Sequence, residues 1–332
     1  MPTRQRISII IIAVVLLLGA VVIVFDWHEA SQLIGETNWF LTIVALLFTG
    51  ISYFCLCLAF VIISRLFEID ISRLKLFEIG YVSVALDNIL ALSGAGGFSL
   101  KIVLTRPYGV KISRVIAASI YQSYFDGLIL LVLLLVGLLY LVFSHTVQGA
   151  GAVGIILSVS IMAFFIILAT VSIFISRIRM PIMRALNRIS KFVAHRDIMA
   201  SLNTFDSSLS FGWREARQKP LMAASILGLM IANWAFMLVV LWFCFYALGG
   251  PIKPDVLITG FTIGIAAGNV SMVPGGFGVQ EASMAGIYAL MGVSLTKALL
   301  SVILFRVCYD IIPYIASWGL YRSIFKKPKP SI

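Results

Sequence analysis

Apolar residues in this chain come in long unbroken runs, without the strict alternation of a half-buried strand. A helix needs about 20 apolar residues to cross hydrocarbon. Six runs meet that length: 7–25, 40–64, 115–143, 153–175, 221–248 and 298–321. Only the third and sixth contain charge, Asp126 in one and Arg306 with Asp310 in the other. Two further runs stop short at glycines. Residues 79–92 lead into Ser93-Gly94-Ala95-Gly96-Gly97, and 256–273 lead into Pro274-Gly275-Gly276-Phe277-Gly278 before the chain continues apolar to Met291. Each reads as a broken helix followed by a second short one. Irregular backbone at membrane depth survives only where protein or water satisfies its amides, so each break should border a cavity.

Composition agrees. The 332 residues are 61% hydrophobic and 12% charged, about half the charge of an ordinary soluble domain. The reading is an all-α polytopic membrane protein, which excludes a nucleic-acid module despite the net charge of +11. Excess Lys and Arg is then a topology signal. Segments 1–6, 65–75, 101–114, 177–219 and 322–329 hold 22 of the 25 basic residues. That pattern predicts six full crossings with both termini cytoplasmic, and it is kept only if the two broken segments are re-entrant hairpins. The first run, 7–25, lacks a small-residue cleavage site and is expected to be a retained helix. Residues 180–218 place Ile182, Leu186, Leu202, Phe205 and Leu209 mostly at helical spacing, with Arg184, Arg188 and Lys191 on other faces. They predict an amphipathic cytoplasmic segment, either a solvated loop helix or one held by anionic lipid.

The four cysteines lie inside apolar runs without metal-ligand spacing, and the three histidines are scattered, so no metal or cofactor site is expected. Trp27, Trp39 and Trp213 fall near expected interfaces and read as anchors.

The chain also repeats itself after about 180 residues. Asn88 precedes Gly96-Gly97-Phe98, as Asn269 precedes Gly275-Gly276-Phe277. Gly109-Val110 and Gly292-Val293 follow, and the next spans reach Gln122 with Asp126 and Arg306 with Asp310. The expected topology gives the halves, 1–143 and 150–325, opposite orientation. Inverted repeats with matching broken helices are the mark of secondary transporters, whose site lies mid-membrane between the repeats.

The polar residues near the breaks are the candidate substrate-binding set. Amides of Gly275, Gly276 and Gly278, and of Gly96 and Gly97, can bind phosphate as helix N-termini do. Glu281 either caps the helix that starts after Gly278 or contacts a cationic head group or proton. Arg306 and Asp310, four apart, should pair; Arg306 then either has a purely structural role or holds phosphate. Asp126 has no basic residue one turn away. Lys101 is its candidate partner, with Asp87 the competitor. Asn88 and Asn269 either cap and bridge the broken helices or touch the ligand.

The motif Asn269-x4-Pro274-Gly275-Gly276-x-Gly278-x2-Glu281, then Gly292, then Arg306-x3-Asp310, resembles the lysylphosphatidylglycerol synthase transmembrane-region family. The resemblance in layout spans nearly the whole chain, while the motif is confined to about 269–310. It implies movement of a phospholipid or other polar-headed lipid, anionic or phosphate-bearing, between leaflets of a bacterial inner membrane. The soluble aminoacyl-transferase domain of two-domain members is not in this sequence. The first hairpin departs from the family pattern, with no proline before Gly94 and Ser99 in place of a charged residue. Two other functions stay open: a membrane enzyme acting on lipid, against which no catalytic triad or metal motif is found, and an accessory subunit of an envelope-biosynthesis enzyme.

Overall fold

A computed structural model describes residues 27–90, 95–144, 199–271 and 273–325, with seven more between 180 and 188. The expected spans 7–25 and 153–175 lie outside the described residues, as does most of the segment before residue 199. Every regular element among the described residues is helical.

Helix α1 is Trp27–Gly35, α2 Trp39–Leu66, α3 Arg73–Leu90, α4 Ala95–Thr105 and α5 Ile112–Phe143. Then come α6 Met199–Gln218, α7 Pro220–Ala247, α8 Pro254–Ser271, α9 Val279–Leu290, α10 Leu295–Arg306 and α11 Ile312–Phe325. A five-residue π segment, Val307–Ile311, joins α10 to α11 without interrupting the rod. Among the described residues, four rods are long and apolar enough to cross a membrane: α2, α5, α7 and the continuous stretch Leu295–Tyr321. These coincide with four of the six expected spans.

Helices α2 and α7 form the axis of the molecule. The Asn38 amide donates to the Ala247 carbonyl at 3.0 Å, and the Ser52 hydroxyl reaches Asn233 at 2.9 Å. Contacts that move up one helix as they move down the other make the pair antiparallel. Both helices are 28 residues long, and both run through the two apolar clusters that make up the core. Cys55, Cys57, Cys244 and Cys308 are free thiols buried in this interior.

The second broken segment folds back on itself. Gly260, Gly264 and Gly268 on α8 face Tyr288, Met284 and Gln280 on α9. That descending register means α9 returns antiparallel along α8. Glycine at every fourth position lets the two backbones approach closely without interlocking side chains. The turn between them needs left-handed backbone, with φ of 62° at Gly275, 66° at Gly276 and 81° at Gly278. In the first segment, α3 packs on α4, and both α3 and α8 are 18 residues long. Helix α8 lies against α5, and α3 against α11.

Helix α6 is not free on a surface. Leu209 and Ala216 are buried with Tyr121 and Met230, and Gly212 abuts the Phe67 ring. Trp213, expected to be an interfacial anchor, packs on Tyr121 with ring centroids 4.6 Å apart. Sequence spacing identified the apolar face of this helix, but the protein's own bundle covers it.

Candidate functional site

A cavity of about 400 Å³ lies between α2, α3, α5, α7, α8 and the rod formed by α10 and the π segment. Around it the bundle is apolar, yet its wall carries Asp87, Asn88, Asp126, Asn233, Asn269 and Gln280, with Arg306 and Asp310. Both broken segments contribute, through the end of α3 and the loop between α8 and α9.

Arg306 is the most heavily bonded of these side chains. Its Nε donates to Glu281 Oε1, Nη1 to Asp310 Oδ2 at 2.7 Å, and Nη2 to the Gly275 carbonyl at 2.8 Å and Gln280 Oε1 at 2.9 Å. The Phe277 ring lies 5.1 Å from the guanidinium carbon. The side chains of Arg306, Glu281 and Asp310 are 8%, 12% and 5% exposed. At such burial a cation is tolerated only when paired and hydrogen-bonded. The expected Arg306–Asp310 pair forms, and Glu281 is a second anionic partner.

Glu281 does two things. Its Oε2 accepts from the Gly278 amide at 2.6 Å, which completes a capping box at the start of α9, while its Oε1 holds Arg306. The Gly276 amide donates to the Val273 carbonyl at 2.8 Å. Of the five amides expected to bind phosphate, two are engaged within the protein: Gly278 by a carboxylate and Gly276 by the turn. Pro274 opens the turn and is exposed. In the first half, Gly96 and Gly97 fall within the opening turn of α4, not in an unwound stretch. Residues 91–94, between α3 and α4, lie outside the described residues.

Asp126 is bound by a residue that sequence reasoning missed. The Trp234 indole N–H donates to its Oδ1 at 2.7 Å. Lys101, the expected partner, is buried, donates to Gln122 Oε1 at 2.8 Å, and stands 4.4 Å from the Phe60 ring centroid. It sits behind the cavity wall, which it does not line. A tryptophan beside an asparagine in the middle of a 28-residue apolar helix was the available signal.

A second network ties the cavity to the π segment. Asn88 Nδ2 donates to the Tyr53 hydroxyl at 3.0 Å, and that hydroxyl donates to the Tyr309 carbonyl at 3.0 Å. The reason lies in the sequence. An α-helical carbonyl at 309 would be matched by the amide of residue 313, but Pro313 has none. The ladder shifts to a π bond from the Ile312 amide to the Val307 carbonyl, and Tyr53 supplies the missing donor. Ser52 lies 3.0 Å from the Tyr309 hydroxyl and donates to Asn233. Asn269, exposed at the end of α8, lines the cavity at its rim.

A UPF0104 membrane protein of Pyrococcus horikoshii is 23% identical to this chain over 261 residues, covering 74% of this chain and 76% of the relative. The family model for the lysylphosphatidylglycerol synthase TM region matches residues 9–317 and so takes in every element that lines the cavity. The chain belongs to the lysylphosphatidylglycerol synthase TM region family, and it is a multi-pass membrane protein.

Proposed function

We propose that this protein moves a polar-headed lipid between the two leaflets of its membrane, with the head group held in the cavity and the chains left in the bilayer. The observation that carries this reading is a polar cavity of about 400 Å³ inside an apolar bundle, walled by both broken segments. Buried polar groups at membrane depth are costly and mark substrate pathways.

Correspondence between the halves supports alternating access. The antiparallel α2 and α7 are equivalent in length and position, as are α3 and α8. Each half also has one bond between a cation and a glutamine that joins the short returning helix to the next span. In the first half Lys101 donates to Gln122; in the second Arg306 donates to Gln280, with the residue types exchanged. An aspartate follows four residues after Gln122 and after Arg306. On this reading each broken segment is a re-entrant hairpin of one inverted half, and both termini lie on the cytoplasmic side of a bacterial inner membrane.

The lining bears on the head group. Asp87 and Asp126 face the cavity, while the Arg306 charge is opposed by two carboxylates. A bare phosphate would have to displace Glu281 or Asp310. A head group that offers ammonium or hydroxyl donors beside its phosphate fits better. No catalytic step is assigned.

The test is translocation of fluorescent phospholipids by the purified protein in vesicles, read by quenching from outside. Facilitated movement that Asp126→Asn slows supports the reading. Rates equal to protein-free vesicles for anionic, zwitterionic and amine-bearing lipids would overturn it.

A further inference from the structure

Four of the residues that line the cavity are exposed: Ser123 and Gly127 on α5, with Asn269 and Val273 at the far end of α8. All other lining residues are buried or half-buried. The mouth therefore lies between these two elements, with one pair of residues on each side. Its depth follows from the length of α5. A 32-residue helix is about 48 Å long at about 1.5 Å per residue, against about 30 Å of hydrocarbon. Ser123 and Gly127 are its twelfth and sixteenth residues, which puts them at the middle of the span. The mouth opens sideways at bilayer depth, not toward water at an end.

What lies behind the mouth is polar. Asn233 is 3% exposed and Gln280 is 8% exposed, and both line the cavity. Their side-chain carbonyls accept from Ser52 and Arg306, so each amide is oriented by a bond within the wall. With Asp87, Asn88 and Asp126 they give the cavity a polar wall, which favours a ligand that can hydrogen-bond. A water-soluble ligand would have no use for a mouth in hydrocarbon, and a wholly apolar one would be poorly matched to the polar wall. An amphiphile meets both conditions.

We propose that the gap between Ser123–Gly127 and Asn269–Val273 is a lateral portal through which the acyl chains of a phospholipid extend into the bilayer while its head group meets Asn233 and Gln280. This rests on the lipid reading of the cavity. Gly127 is the keystone: a Cβ built there meets no atom within 4 Å, so a large side chain can be accommodated by the fold and still fill the gap.

The full chain is reconstituted in phosphatidylethanolamine and phosphatidylglycerol vesicles containing a phospholipid with a diazirine close to the glycerol end of one acyl chain. After irradiation, adducts are mapped by mass spectrometry of peptides. Adducts on Leu130, Met237 or Ile265, inside the mouth, are expected in the wild type. They should fall about tenfold in Gly127→Trp and in Val273→Trp. Adducts on the outward-facing Val132 and Val136 should persist, which certifies that the variants are folded. Wild-type adducts confined to such outer faces overturn the portal, and so do cavity adducts undiminished in both folded variants. The readout does not require transport. Labelling through the mouth without facilitated translocation would sink the transport reading and leave the portal standing.

Discussion

The Trp234 indole donates to the Asp126 carboxylate across the cavity wall, joining the middle of α7 to the middle of α5 at 2.7 Å. Trp234→Phe keeps the ring but removes the donor. Leaving a buried acceptor without its partner costs about 1–3 kcal/mol, so the thermal midpoint in detergent should fall. Asp126→Asn retains an oxygen for the indole and should melt close to wild type. Equal midpoints for Trp234→Phe and wild type would show that the bond carries no stability.

Arg306 should be intolerant even of lysine. One ammonium cannot reproduce the fork that serves Glu281, Asp310, Gln280 and the Gly275 carbonyl. Arg306→Ala strands two buried carboxylates and should cost about 3–5 kcal/mol, read as loss of a monodisperse peak in size-exclusion chromatography. Adding Asp310→Asn and Glu281→Gln to that variant should recover part of the loss, because stranded charge is its cause.

The glycine ladder between α8 and α9 gives a contrast within one protein. A Cβ at Gly264 would land inside the Met284 side chain, whereas one at Gly286 meets nothing within 4 Å. Gly264→Leu forces the hairpin apart and should cost about 1–3 kcal/mol from overpacking. Gly286→Ala should be neutral or mildly stabilising, through its higher helix propensity. Melting curves of the two variants, run side by side, check both signs.

The exchanged cation and glutamine pairs allow a transposition. Lys101→Gln with Gln122→Lys should restore most of the stability that either single change removes, because each half then keeps one bond of the same kind. Double-mutant cycles on thermal midpoints measure this coupling. Additive losses would break the equivalence between Lys101–Gln122 and Gln280–Arg306.

The four described spans were legible because apolar length is a property of the sequence alone. Arg306 and Asp310 were legible as a pair for a similar reason: four residues on one helix is a local relation, and the π segment leaves their bond intact. The partner of Asp126 was not legible. Trp234 lies 108 residues away, and tryptophan in a span suggests an interface before it suggests a buried donor. Gly276 and Gly278 looked like open amides because composition does not reveal which turn carbonyl or carboxylate will reach them. The π segment was hidden for a different reason. Pro313 announced a missing donor, but only the folded chain shows Tyr53 standing at the vacated carbonyl.

Glu281 grips two separate pieces of the molecule, one with each carboxylate oxygen: the amide that starts α9 and the guanidinium at the end of α10. Pulling the long rod away from the turn would strip the cap from α9 or leave a bare cation in an apolar setting. Neither rupture is cheap, so the turn, the start of α9 and the Arg306 level of the rod must travel as one rigid body. Any rearrangement that exposes the cavity to the other side has its hinges elsewhere.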